Sequence, residues 1–109
     1  MLVLPIKKKW FDMIASGEKK EEYRAFKEYY THRLPRHFGG GMKTLNGLYC
    51  EWSSGDEKEV VFRNGYGKKV PQIKCLCTLE IGTGKQEWGA EQGKTYYVLK
   101  ILQVLGDDK

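Results

Sequence analysis

The hydrophobic pattern opens with LVLPI, a short apolar strand whose Pro5 lacks an amide hydrogen and so belongs at a sheet edge or strand end. From Lys8 to Ser16, Trp10, Met13 and Ile14 fall at helical spacing with Phe11 beside them. Gly17 stands where such a helix would stop in the left-handed conformation. The charged run EKKEEYR then reads as a strand, with Lys19, Glu21 and Tyr23 on one side and Lys20, Glu22 and Arg24 on the other. AFKEYYTHRLPRHF is predicted as a helical turn or short helix that Pro35 ends, and GGGMK as a flexible loop.

Further along, LNGLYCEW alternates Leu48, Cys50 and Trp52 as a strand, and SSGDEK turns the chain. EVVFRNGYGKK is a strand running into a glycine-rich loop, and PQIKCLCTLEI alternates most cleanly, with Ile73, Cys75, Cys77, Leu79 and Ile81 on one face. GTGKQEWGAEQGK is a loop with room for one helical turn. TYYVLKILQVL is apolar on both sides and so belongs at the centre of a sheet. Five or six short strands with one or two flanking short helices predict an α+β, mostly β fold, a small mixed β-barrel whose curled sheet closes its own edges. Nothing repeats and no linker divides the chain, so residues 1–109 are expected to form a single domain.

Composition narrows the class. At 109 residues the chain is long enough to bury about two-thirds of its unfolded surface in one ordinary core. Its 40% apolar and 30% charged residues fit a soluble globular protein. No apolar run approaches the roughly 20 residues of a membrane span. In MLVLPIKKKW the charges follow the apolar residues, the wrong order for a secretory signal, so a cytoplasmic location is expected. A net charge of +5 favours polyanionic partners. Three cysteines, Cys50, Cys75 and Cys77, are an odd count and do not suggest a disulfide framework; Cys75 and Cys77 read as small core groups. C-x-C with His32 and His37 is not a familiar set of zinc-ligand spacings, and neither a metal nor another cofactor is expected.

Three stretches carry candidate chemistry. EKKEEYR is either a solvated face or the wall of a cleft that holds something polar. RNGYGKK puts Arg63 and Asn64 on a loop where Gly65 and Gly67 allow close approach of a ligand, although Asn-Gly is also an ordinary turn dipeptide. In EWGAEQGK, Trp88 either stacks on a base from an exposed loop or closes the barrel end.

The opening LPIKKKWFDMIASGEKKEEYR resembles that of ASCH domains, with Gly17, Lys19, Glu22 and Arg24 matching the family's G-x-K-x-x-E-x-R run. VVFRNGYGKKVPQIKCLCTLEI and EWGAEQGKTYYVLKI resemble the remainder of a bacterial and phage-type branch, so the likeness covers Leu2 to Leu105. The resemblance implies a PUA-like barrel with helices beside an open cleft that binds RNA or a nucleotide through Lys19, Glu22 and Arg24. Arg63, Asn64 and Trp88 are expected to join them. Some small ASCH proteins are amidohydrolases of N4-acetylcytidine, which would make Lys19 and Glu22 a catalytic pair with Glu87 as a candidate further acid. Glu22 stands where those enzymes carry threonine. Relatives also suggest RNA cleavage, with Lys19 and a tyrosine such as Tyr23. A fourth reading is a protein-contact surface on Tyr29, Tyr30, His32 and Arg33, which read equally as a half-buried helix over the barrel. Monomer and weak dimer are both compatible with the sequence.

Overall fold

The computed structural model describes residues 1–39, 42–45, 48–52 and 56–107. Strand β1 (Leu2–Ile6) leads into helix α1 (Lys8–Ala15), strand β2 (Glu21–Arg24) and helix α2 (Glu28–His37). A two-stranded hairpin, β3 (Met42–Leu45) with β4 (Leu48–Trp52), follows. Then come β5 (Lys58–Asn64), β6 (Gln72–Thr83), a 3-10 turn at Gln86–Trp88 and β7 (Thr95–Asp107). Five strands form one curled sheet in the order β1-β5-β6-β7-β2. All its pairings are antiparallel except β1 with β5. The architecture is the small, mostly β, barrel-like fold with two helices that the pattern anticipates.

The two-residue period decides what each strand buries. Leu2, Leu4 and Ile6 of β1, Ile73, Cys75, Cys77 and Leu79 of β6, and Tyr97 and Leu99 of β7 face one core. Helix α1 adds Phe11 and Ile14 to it, and α2 adds Leu34, with Phe38 just beyond. Cys75 and Cys77 are free thiols inside this core, so they pack as small apolar groups. Burial pushes the Cys75 thiol up to about 11 and Cys77 in the same direction. The side chain of Cys50 lies outside the described residues, as do Gly40 and Gly41 and the Ser53–Gly55 part of the SSGDEK turn. On the other side of β7, Tyr96 and Val98 pack with Ala90 and Tyr23 in a smaller cluster.

Two local expectations need correction. Pro35 does not end α2, which runs on to His37. The ring sits buried in the last turn, where only one backbone hydrogen bond is forfeited, and Leu34 and Phe38 anchor the helix on either side. The charged run is not one continuous strand either. Gly17 stops α1 at φ 84° as anticipated. Lys19 N–H then donates back to Met13 O (2.9 Å), and contact with β7 begins after it, where Lys20 O accepts from Ile101 N–H (2.9 Å) and the strand register starts at Glu21. Lys19 therefore escapes the alternation that would have put it opposite Glu22.

The two edges of the sheet are β1 and β2. Arg24 reaches from β2 to the carbonyl of Pro5 in β1 (3.1 Å), so the curled sheet is laced by a side chain where no ladder hydrogen bonds close it. The open seam beside this link holds a hollow. Among the described residues no helix is long and apolar enough to cross a membrane.

Candidate functional site

The seam holds a cleft of about 470 Å³. One wall is the end of β1 and its continuation (Pro5, Ile6, Lys7), and the opposite wall is β2 (Glu22, Tyr23, Arg24). Trp10 comes from α1, Gly65 and Tyr66 from the loop after β5, Trp88 and Gly89 from the 3-10 turn, and Tyr96 from β7. Five of the lining side chains are thus aromatic. A hollow of this volume fits the range of small-ligand sites, which are mostly apolar with a few polar groups that fix orientation.

Behind the wall lies Lys19, whose side chain is wholly buried. Its Nζ donates to Trp88 O (2.7 Å) and sits 3.2 Å from Glu22 Oε1. It is also flanked by the rings of Trp10 (4.9 Å) and Tyr23 (5.0 Å). All four neighbours line the cleft, so one ammonium ties helix, strand and loop together from behind. Desolvation lowers the Lys19 pKa from its ordinary value, and the Glu22 carboxylate opposes that shift.

Glu22 spends its other oxygen on Arg24, whose guanidinium nitrogen approaches Oε2 at 2.8 Å. Arg24 also donates to Tyr30 OH (3.1 Å) and lies over the Tyr30 ring (5.5 Å). Its buried Nε meets no acceptor among the described residues. The result is a Lys–Glu–Arg triad in which every charge has an opposite partner, as burial requires. Tyr23 also packs against the smaller cluster of Ala90, Tyr96 and Val98. Its hydroxyl donates to Glu21 (2.8 Å) and accepts from Lys85 N–H (2.9 Å), while burial, the largest influence, raises its pKa. Two glycines make room for these rings. A Cβ on Gly84 would fall 2.6 Å from the Tyr23 ring, and one on Gly89 3.0 Å from the Trp10 ring.

Of the six residues expected from the sequence, Glu22, Arg24 and Trp88 line the cleft and Lys19 supports it from behind. Arg63 and Asn64 are not among the lining residues. Arg63 instead donates within its own loop to Gly67 O, and Asn64 N–H donates to Pro71 O (2.9 Å). The same loop contributes Gly65, whose N–H is held by Ile6 O (2.9 Å), and Tyr66, which is 87% exposed. Trp88 is half-buried, between its two expected states, with Lys85 Nζ over its ring (4.6 Å). Glu87 is exposed and does not line the cleft. On α2, Tyr30 is half-buried against the core while Tyr29, His32 and Arg33 are exposed.

Trp10, Tyr66 and Tyr96 were missed as wall residues. For Trp10 a signal existed: an indole on a short amphipathic helix whose core positions Phe11 and Ile14 already fill. No cluster of His, Cys, Asp and Glu among the described residues could hold a metal ion. No protein-family model, curated protein or solved structure matches this chain.

Proposed function

We propose that the chain is an ASCH-like domain whose seam cleft binds RNA or a nucleotide without altering it. The observation that carries this reading is the pairing of aromatic walls with an Arg24–Glu22 edge in one hollow sized for a base and its sugar. Trp88, Tyr66 and Trp10 offer faces for stacking, which tolerates any base. Arg24 and Glu22, both in the cleft wall, set a guanidinium and a carboxylate side by side for a polar edge. The net charge of +5 supports a polyanionic ligand.

Binding is favoured over hydrolysis by the position of Lys19. A wholly buried ammonium held by Trp88 O and Glu22 is suited to organising the cleft from behind, not to meeting a substrate and moving its proton. None of the cleft-lining residues is a serine, threonine, cysteine or histidine, so neither a small hydroxyl or thiol nucleophile nor an imidazole shuttle is among them. The test is tryptophan fluorescence during titration with ribonucleoside monophosphates and short single-stranded RNA, alongside incubation with N4-acetylcytidine. Saturable quenching that Trp88→Ala weakens at least tenfold, with the nucleoside recovered intact, is the expected outcome. Release of cytidine, or the same affinity in Trp88→Ala, would overturn it.

A further inference from the structure

A second cavity, of about 560 Å³, lies at the other end of β1. Met1 and Leu2 form one side, and His32, Arg33, Arg36 and His37 of α2 form the other. Its chemistry differs from that of the seam cleft, with two arginines and two imidazoles replacing the aromatic walls. Arg33 and Arg36 are exposed, three residues apart and on one helix face. Tyr29 extends that face by one turn and carries the Arg33 guanidinium over its ring (4.3 Å), which stiffens the cation without neutralising it. His37 is held by Glu59 O (2.8 Å). Of the nearby carboxylates, Glu28 lies 3.7 Å from His32, Glu59 is taken by Lys74 (3.6 Å), and Asp56 sits beside Gly39 just past the helix. The arginines thus dominate the cavity's wall.

Two elements connect the cavities. Strand β1 has Leu2 in the basic cavity and Pro5 and Ile6 in the seam cleft, a run of about 13 Å at 3.3 Å per residue. Helix α2 has Tyr30 against Arg24 of the seam and Arg36 in the basic cavity, about 9 Å along its axis at 1.5 Å per residue. A ligand reaching from one to the other must therefore be longer than one nucleotide. At the stacked spacing of about 3.4 Å per strand phosphate, 13 Å corresponds to about four phosphates.

We propose that the α2 cavity is a phosphate subsite that holds the backbone of a single-stranded RNA whose base occupies the seam cleft, Arg33 and Arg36 each neutralising a phosphate. This rests on the nucleotide reading of the cleft and extends it from a nucleotide to a strand. The arginines supply electrostatic affinity and carry no base information. Each neutralised phosphate contributes about 0.7 to the slope of log affinity against log salt for single strands.

The experiment compares the parent with Arg33→Ala/Arg36→Ala and, separately, Arg36→Glu, after circular dichroism has shown that each is folded. Each is titrated with a ribonucleoside monophosphate, a single-stranded RNA hexamer and inorganic phosphate. The double variant is expected to lose about 1.4 units of salt slope for the hexamer, so that over a rise from about 50 to 200 mM salt its affinity falls about sevenfold less than the parent's. Monophosphate binding is expected to be unchanged, and Arg36→Glu, which also changes the charge by two units, to weaken the hexamer comparably to the double alanine variant. Unchanged hexamer affinity and slope in both variants would overturn the subsite, whatever the cleft does. Saturation by inorganic phosphate with no response to the hexamer would overturn the strand assignment. If the monophosphate fails to bind the parent while the hexamer still depends on Arg33 and Arg36, the cleft reading fails and the phosphate subsite stands.

Discussion

Replacing Glu22 with glutamine keeps the shape of the side chain and removes its charge, which exposes what the triad contributes. Lys19 has no solvent to fall back on, since its side chain is wholly buried and Glu22 itself is only 9% exposed. Taking one partner from a buried pair costs about 3–5 kcal/mol, because an uncompensated charge remains. The glutamine oxygen still accepts from Nζ, which recovers about 1 kcal/mol. Neutralising the ammonium instead sets a ceiling. From the ordinary lysine value of 10.5 down to pH 7 is three and a half units at about 1.4 kcal/mol each, or about 5 kcal/mol. The expected loss at pH 7 is therefore about 3 kcal/mol, a large part of the 5–15 kcal/mol typical of a domain.

The sign of the pH dependence follows from the same geometry. Without the carboxylate, the folded-state pKa of Lys19 drops further below its unfolded value, so the unfolded chain binds more protons between the two. Stability of the variant relative to the parent rises with pH over that window, and at pH 10 the ceiling is only about 0.7 kcal/mol. Urea unfolding of parent and Glu22→Gln at pH 7 and pH 10 reads both quantities, and Lys19→Met/Glu22→Gln should recover much of the loss at pH 7. A penalty under 1 kcal/mol that does not change with pH would refute the buried triad.

Gly84→Ala places a Cβ 2.6 Å from Tyr23 ring carbons and 2.7 Å from the Ala90 Cβ. Such overpacking costs about 1–3 kcal/mol, a fall in Tm on the order of 10 °C by calorimetry. The thiol of Cys75, pushed up from 9.0 to about 11, contributes stability that is full below pH 9 and lost as pH rises through about 11, because only the unfolded chain ionises in between. That is about 3 kcal/mol at 1.4 kcal/mol per unit, and Cys75→Ala should flatten the fall in denaturant midpoint over this range. Arg24→Lys removes the fork that spans Glu22, Pro5 O and Tyr30. It is expected to weaken nucleotide binding and to speed amide exchange along β1, since a single ammonium cannot hold all three partners.

The strands were legible because a two-residue period survives any change in how the sheet curls. PQIKCLCTLEI shows which residues β6 buries, and the edge position of LVLPI agrees with Pro5, whereas TYYVLKILQVL, apolar on both sides, does not show which of its residues β7 buries. The site was legible only in part. Alternation carried through EKKEEYR separates Lys19 from Glu22, yet the helix stop at Gly17 holds Lys19 on Met13 O and the two meet at 3.2 Å. That depends on where the strand begins, which a run of charges does not mark. Arg63 and Asn64 drew notice as polar groups beside glycines, but loop closure turned Arg63 toward Gly67 and offered Tyr66 to the cleft instead. Tyr96 reads as a core residue in an apolar strand, and only the seam between β1 and β2 leaves it at the wall.

The most direct measurement is the pair of indole N–H resonances of Trp10 and Trp88 during titration with single-stranded RNA. These two residues come from α1 and the 3-10 turn and converge only at the seam. Both signals are expected to shift together and saturate at one affinity, and Glu22→Gln should weaken that response at pH 7. RNA binding that leaves both indoles unmoved would contradict the account, because the ligand would then lie elsewhere on the protein.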